Sequence, residues 1–260
     1  MRRAAAAFVA AAALCTTSVR AACPFAEQPA KSVQVEAGTS NDTLTHGRGT
    51  WSESALDVVA RNGNQNSLYA RIADDTRFGS SDPSYEAGAY SALDKHLIAD
   101  LTASFSPTHA FLPATTESGG LDWRSNAGYG YQVQLAQRNY AAQVASIQTL
   151  GADRYVGADR FALGVTLARL TGVPGTALSE RASFARYLGC DSETFSISAG
   201  RDVELTGVGS ALAVYRAYSY DANDIHWFTK RFALDAGAGW YVLLGAYNRF
   251  EVRVALRERL

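Results

Sequence analysis

The chain has 260 residues, of which 47% are hydrophobic, 19% charged and 11% aromatic, and its net charge is −1. These values exclude a disordered, collagen-like or coiled-coil chain and leave no basic excess for holding nucleic acid by counterion release. Three cysteines, without zinc spacing, exclude a disulfide scaffold and a structural zinc site.

The N-terminus reads as an address. Met1-Arg2-Arg3 supplies a positive start, Ala4 to Leu14 is apolar, and Val19-Arg20-Ala21 offers a cleavage site. The apolar run is too short to span a bilayer as a helix, so residues 1–21 are expected to be a cleaved signal peptide. Residues 22–30 would then form a short periplasmic segment. Cys23 lies near the cleavage point, but Arg20 and Pro24 fit poorly with a lipoprotein signal. Cleavage removes Arg2, Arg3 and Arg20 and no acid, taking the net charge from −1 to −4. Cys23 and Cys190 would remain, in an oxidising compartment where they can pair.

From residue 31 onward, apolar and polar residues alternate. Val33, Val35 and Ala37 oppose Gln34 and Glu36; Leu68, Ala70 and Ile72 oppose Tyr69 and Arg71; Leu97 to Phe105 and Phe250 to Leu256 keep the same period. Period two over about ten residues is a strand signal. Mean hydropathy of −0.11 does not count against a membrane location, because a barrel's lipid and lumen faces cancel in the average. The pattern predicts strands over 31–40, 50–61, 66–78, 83–93, 96–106, 120–131, 133–141, 144–156, 159–170, 181–190, 193–204, 210–227, 231–242 and 247–259. The reading is an all-β, transmembrane, antiparallel up-and-down barrel over residues 31–260, with about fourteen strands, or twelve if neighbouring segments merge. The longest connections, 41–49, 107–119 and 171–180, are all odd-numbered. With the N-terminus periplasmic they face outward, as outer-membrane barrels arrange them. Trp51, Phe78, Tyr85, Phe105, Trp123, Tyr155, Phe161, Trp227, Phe232 and Trp240 fall near strand ends, where interface girdles lie. A soluble β-sandwich or propeller would instead show a Cys and Trp core pattern or blade-length repeats.

By parity, Glu36, Asp57, Arg71, Asp75, Arg77, Glu86, Asp100, Arg124, Arg138, Asp202, Glu204, Asp235, Glu251, Arg253 and Arg257 point into the lumen. Both signs are present. Such charges either pair across a narrow lumen and close it, or line a hydrated path in a wider one. The four histidines are scattered, no HExxH motif or Gly-rich phosphate loop occurs, and no metal or cofactor is expected. Ser106 and His109, three apart at the outer end of the fifth strand, are the pair that a lipid-acting enzyme would need, although Pro107 between them favours a turn. The function classes left open are a non-enzymatic barrel with a structural or conduit role, an outer-membrane enzyme acting on lipid, and a soluble periplasmic β-protein that binds a ligand.

Several short motifs carry a resemblance. They are Ser67-Leu68-Tyr69, then Thr76-Arg77-Phe78-Gly79 with Asp82, Gly88 and Tyr90. Ser106-Pro107, His109 and Leu112-Pro113 follow, then Arg154-Tyr155 with Gly157, then Ser198-Ala199-Gly200-Arg201-Asp202-Val203-Glu204. In order and spacing, residues 31–260 resemble the YaiO family of outer-membrane β-barrels. The resemblance implies a barrel in the bacterial outer membrane and little biochemistry. Export of a secreted polysaccharide is a looser analogy. The expected partners are the outer-membrane bilayer and, during biogenesis, the barrel-assembly machinery; the oligomeric state is left open. The expected topology puts the turn at Cys190 and the segment carrying Cys23 on the same periplasmic side, within reach of each other along an extended tether, so a Cys23–Cys190 disulfide is one candidate, beside two unpaired thiols or a lipidated Cys23.

Overall fold

The computed structural model describes residues 31–45, 49–63, 66–205, 207 and 211–260. The expected signal peptide and the 22–30 segment lie outside these residues. Fourteen strands follow one another: β1 Lys31–Leu44, β2 Thr50–Asn62, β3 Ser67–Arg77, β4 Ser80–Ala92, β5 Leu97–Phe105, β6 Thr115–Arg124 and β7 Tyr129–Asn139, then β8 Val144–Val156, β9 Asp159–Leu170, β10 Ala177–Leu188, β11 Asp191–Glu204, β12 Ala213–Trp227, β13 Phe232–Leu243 and β14 Tyr247–Arg259. Each pairs antiparallel with the next, and β14 closes on β1 in a register that sets Ala37 opposite Leu256 and Thr39 opposite Val254. Closure leaves no strand edge, which is the condition for a sheet to cross a bilayer with its backbone satisfied. No helix among the described residues is long and apolar enough to cross a membrane.

The two faces are chemically distinct. Leu56, Leu68, Ile72, Leu101, Leu135, Leu150, Leu163, Val254 and Leu256 all lie exposed on the outer wall, with Leu68, Leu101 and Leu163 at 65%, 68% and 68% of full accessibility. In water such a surface would be a large aggregation liability; in hydrocarbon it is the solvated state. Tyr85, Phe105, Tyr220, Trp240 and Phe250 ring this wall toward one rim, and Trp123, Tyr131, Phe161 and Phe232 toward the other. Trp51, Phe78, Tyr155 and Trp227 do not belong to these girdles. Trp51 is 1% and Trp227 8% exposed, and Arg124 lies over the Tyr155 ring, with its guanidinium 5.5 Å from the centroid. An aromatic at a strand end has two faces available, and only its parity decides between lipid and lumen.

The sequence reading places one turn wrongly. It ends one strand at 131 and begins the next at 133, whereas β6 ends at Arg124 and the turn is 125–128. Ser125 Oγ accepts the Tyr129 N–H at 3.0 Å, and Gly128 sits at φ +80°, the chemistry a tight turn needs. A four-residue turn preserves parity, so Trp123, Tyr129 and Tyr131 read as one uninterrupted face. The loop expected at 107–119 is shorter, 106–114, because Thr115 to Gly120 join β6, where two glycines hide the alternation. For the same reason of weak polar patterning, β10 starts at Ala177 instead of 181, and β1 runs on to Leu44.

At the rim carrying both ends of the barrel, no connection exceeds four residues, whereas 106–114, 171–176 and 205–212 at the opposite rim each run to six or more. That asymmetry matches the short periplasmic turns and longer outer loops of such barrels.

Candidate functional site

The inward face of every strand lines one lumen, and its side chains organise into cross-strand ion networks. Arg71 on β3 bonds Asp57 (2.9 Å) and Glu53 on β2. Arg257 on β14 bridges Glu36 on β1 and Asp235 on β13, the latter at 3.0 Å. Arg253 bonds Asp221 (2.9 Å), Glu251 (3.3 Å) and Asn223 (3.1 Å), tying β12 to β14 behind Gly237. Arg77 reaches Asp75 at 3.3 Å and Arg124 reaches Asp122 at 2.8 Å. Asp202 accepts the Tyr241 hydroxyl at 3.0 Å. Glu86, Asp100 and Glu204 make no ion pair among the described residues; Asp100 lies against Gly120, whose missing side chain leaves it room. Most of these pairs are partly exposed to the lumen, so each contributes about 0–1 kcal/mol. Their effect is to hold long side chains flat against the wall.

Space remains between the networks. A cavity of about 370 Å³ is lined by Glu36, Glu53, Asp57, Arg71, Asp221, Asp235, Glu251 and Arg253. One of about 450 Å³ shares Glu53 and Arg71 with it and extends to Arg77, Glu86, Arg138 and Glu204 beneath the 106–114 loop. A third, of about 370 Å³, shares Asp221, Glu251 and Arg253 and reaches Arg181 and Tyr241. The three cavities thus adjoin one another along the polar inner face of the barrel.

The loop rim is narrowed in three places. Trp51, Leu243 and Tyr247, each 1% exposed, pack with Leu44 and Phe78 into an apolar cluster inside the barrel, with Arg77 and Arg249 over the Trp51 ring at 5.0 and 5.6 Å. On the far side, Leu212 packs on Ala145 and Leu170, and its N–H bonds Gln143 at 2.7 Å, so Leu212 is held over the inner face of β8 and β9 at the mouth. Between them the 106–114 loop turns inward. Asp82 on β4 is fully buried and accepts the N–H groups of Ala110 (2.9 Å), Phe111 (2.8 Å) and Leu112 (2.9 Å). This holds Phe111 against Phe78 and beneath Arg77.

Ser106 and His109 are not arranged as nucleophile and base. Ser106 Oγ accepts the backbone N–H of His109 at 3.2 Å, and the imidazole Nδ1 lies 3.1 Å from the Pro107 carbonyl. Sequence reasoning missed Glu53, Asp82, Asp153, Arg160 and Asp221. Glu53 and Asp221 share parity with the predicted Asp57 and with Ser219 on their strands, so the signal was there. Asp82 fell in a predicted loop, and Asp153, which bonds Arg160 at 2.5 Å, fell in a segment whose faces are not clean. Cys190 lies in the 189–190 turn at the termini rim and is disulfide-bonded; the chain's other cysteines, Cys15 and Cys23, lie outside the described residues.

Two glycines of the short motifs have a packing reason. Tyr69 faces Gly88 across β3 and β4, and a Cβ at 88 would overlap the Tyr69 ring, whose hydroxyl reaches Thr102 at 2.7 Å. Gly200, at φ +149°, lets β11 approach the Leu178 carbonyl and Ser179 on β10 more closely than any Cβ would allow.

Comparison with known proteins agrees with this geometry. A solved structure described as a bacterial polysaccharide outer membrane secretin is similar in fold, with TM-score 0.58 and 10% identity over 88% of this chain and 98% of that one. The Acinetobacter baumannii outer membrane protein Omp33 has TM-score 0.53 and 8% identity over 88% and 100%. At such identities the likeness concerns the fold alone. No curated protein sequence matches the chain. The model of the YaiO membrane beta barrel domain matches residues 32–204, ending where β11 ends, and the chain therefore belongs to the YaiO family of membrane β-barrels.

Proposed function

We propose that this protein is a non-enzymatic barrel of the bacterial outer membrane whose lumen is a conduit for small hydrophilic solutes. The observation that carries the reading is that three polar cavities lie along the lumen and share charged walls. Eight-stranded barrels are filled by their own side chains and barrels of sixteen or more hold a channel; fourteen strands with Arg and acid side chains folded against the wall leave water-sized paths between. The inward loop and Phe111 favour small solutes over a polysaccharide chain. The geometry of Ser106 and His109 gives no support to the lipid-enzyme alternative. In this reading residues 1–21 direct export and are removed, the barrel-assembly machinery inserts the chain, and the loop rim faces the outside.

The test is conductance in planar bilayers. Purified barrel is expected to give discrete current steps that shrink when polyethylene glycol small enough to enter the lumen is added and recover with larger, excluded polymer; insertion without steps at any voltage would overturn the conduit.

We propose that Cys23 is the partner of the disulfide that Cys190 makes at the termini rim, because removal of the expected leader takes Cys15 with it. Unfolded, unreduced mature protein is expected to show no free thiol, and Cys23→Ser to expose one, at Cys190. A free thiol count of two in the mature wild type would refute the pairing.

A further inference from the structure

Arg201 and Arg216 stand directly opposite each other on β11 and β12. Both are exposed. They lie on the outer wall: the next pair on the same face is Ala199 with Tyr218, also exposed, whereas Asp202 points the other way to meet the lumenal Tyr241. Pairing with β10 ends at Gly200, and pairing with β13 ends at Ala217. The arginines therefore occupy the first row of the hairpin above the wall, at the loop rim. Like charges directly opposite in a sheet destabilise it, and neither guanidinium takes part in an ion pair among the described residues. On this wall Glu180 faces Ala199, one row closer to the membrane centre, and makes no ion pair with either arginine.

Two adjacent guanidinium forks that no carboxylate pairs, standing above Tyr218, Tyr220 and Trp240, form an anion-binding arrangement at headgroup depth. Guanidinium matches phosphate oxygens in bidentate geometry, and amphipathic rings mark the interface just below. We propose that Arg201 and Arg216 clamp a phosphate on the headgroup of an anionic outer-leaflet lipid. The clamp relieves the repulsion between the two side chains and ties the loop-rim ends of β11 and β12 to the headgroup layer. The site is independent of whether the lumen conducts.

The test is heat unfolding of the full barrel in phosphatidylcholine vesicles with and without a phosphorylated glucosamine lipid, read by gel mobility, together with native mass spectrometry of retained lipid. The phosphorylated lipid is expected to raise the unfolding temperature of the wild type, and the combined Arg201→Gln and Arg216→Gln variant to lose that rise. Lipid retention should fall roughly fivefold for each arginine removed, as expected for a basic side chain at an anionic surface. Arg201→Lys, which keeps charge but not the fork, should lie between. If the double variant fails to insert, each single glutamine variant is read by mass spectrometry against the same expectation. An undiminished rise in the glutamine variants would overturn the proposal. So would an equal rise from inorganic phosphate with neutral vesicles, or an equal loss on Arg154→Gln at the opposite rim.

Discussion

Arginine in place of Leu101 or Val254 is expected to prevent stable insertion, whereas alanine in place of Arg253 leaves insertion close to wild type. Leu101 is the middle residue of β5 and 68% exposed on the outer wall; Val254 is central in β14, between Thr39 and Ala236, and 45% exposed. Both positions face hydrocarbon at the depth where a charge has least access to water. An arginine there costs roughly 2–4 kcal/mol, a large fraction of the marginal stability of a folded domain. Arg253 is one residue away from Val254 and faces the opposite environment. Its removal breaks contacts to Asp221, Glu251 and Asn223, but the carboxylates left behind line a cavity open to water, and exposed pairs contribute about 1 kcal/mol or less. The measurement is the folded fraction after refolding into vesicles, by the mobility shift on boiling. Equal loss in Val254→Arg and Arg253→Ala would refute this assignment of inside and outside.

That contrast between neighbouring residues is also why so much of this fold is legible in one sequence. A period of two maps directly onto two solvents, so the residues of 159–170 and 247–259 report their side, and there the predicted and observed strand limits coincide. Legibility fails where the code is interrupted without a change of parity. The 125–128 turn is invisible to alternation because it is four residues long. Gly119 and Gly120 carry no side chain to report a face. The aromatic signal fails differently: Trp51 and Trp227 have the composition of girdle residues, but their parity turns them inward, where Trp51 becomes the centre of the apolar cluster at the loop rim. Parity also gives the direction of the lumenal charges but not their partners. The pairing of Arg257 with Glu36, more than two hundred positions apart, exists only because β14 closes on β1. The separation of motifs has the same origin. Asp82 and the Leu112-Pro113 loop read as unrelated short signatures, and the barrel brings them into one hydrogen-bonded unit.

That unit is where a single substitution should change function without damaging the wall. In Asp82→Ala the N–H groups of Ala110, Phe111 and Leu112 lose their shared acceptor at a site that is 0% exposed in the wild type. An unsatisfied buried donor costs about 1–3 kcal/mol, and three together exceed what Phe111 gains from its edge contact with Phe78 and its place beneath Arg77, aromatic and cation–π contacts contributing roughly 0.5–2 kcal/mol each. The 106–114 loop is therefore expected to leave the lumen so that its backbone can bind water. The ladders of β4 with β3 and β5 run through backbone groups, so the barrel should still insert. Asp82→Asn should act more weakly: it keeps one carboxamide oxygen for Phe111 and Leu112 and turns an N–H donor toward the N–H of Ala110. With the loop released, Phe111 no longer lines the 450 Å³ cavity, and single-channel conductance should rise in the order wild type, Asp82→Asn, Asp82→Ala. Protease added to intact cells should cut the released loop and spare the wild-type one. A loop that stays protected, with conductance unchanged in Asp82→Ala, would show that the carboxylate is not what holds the constriction in place.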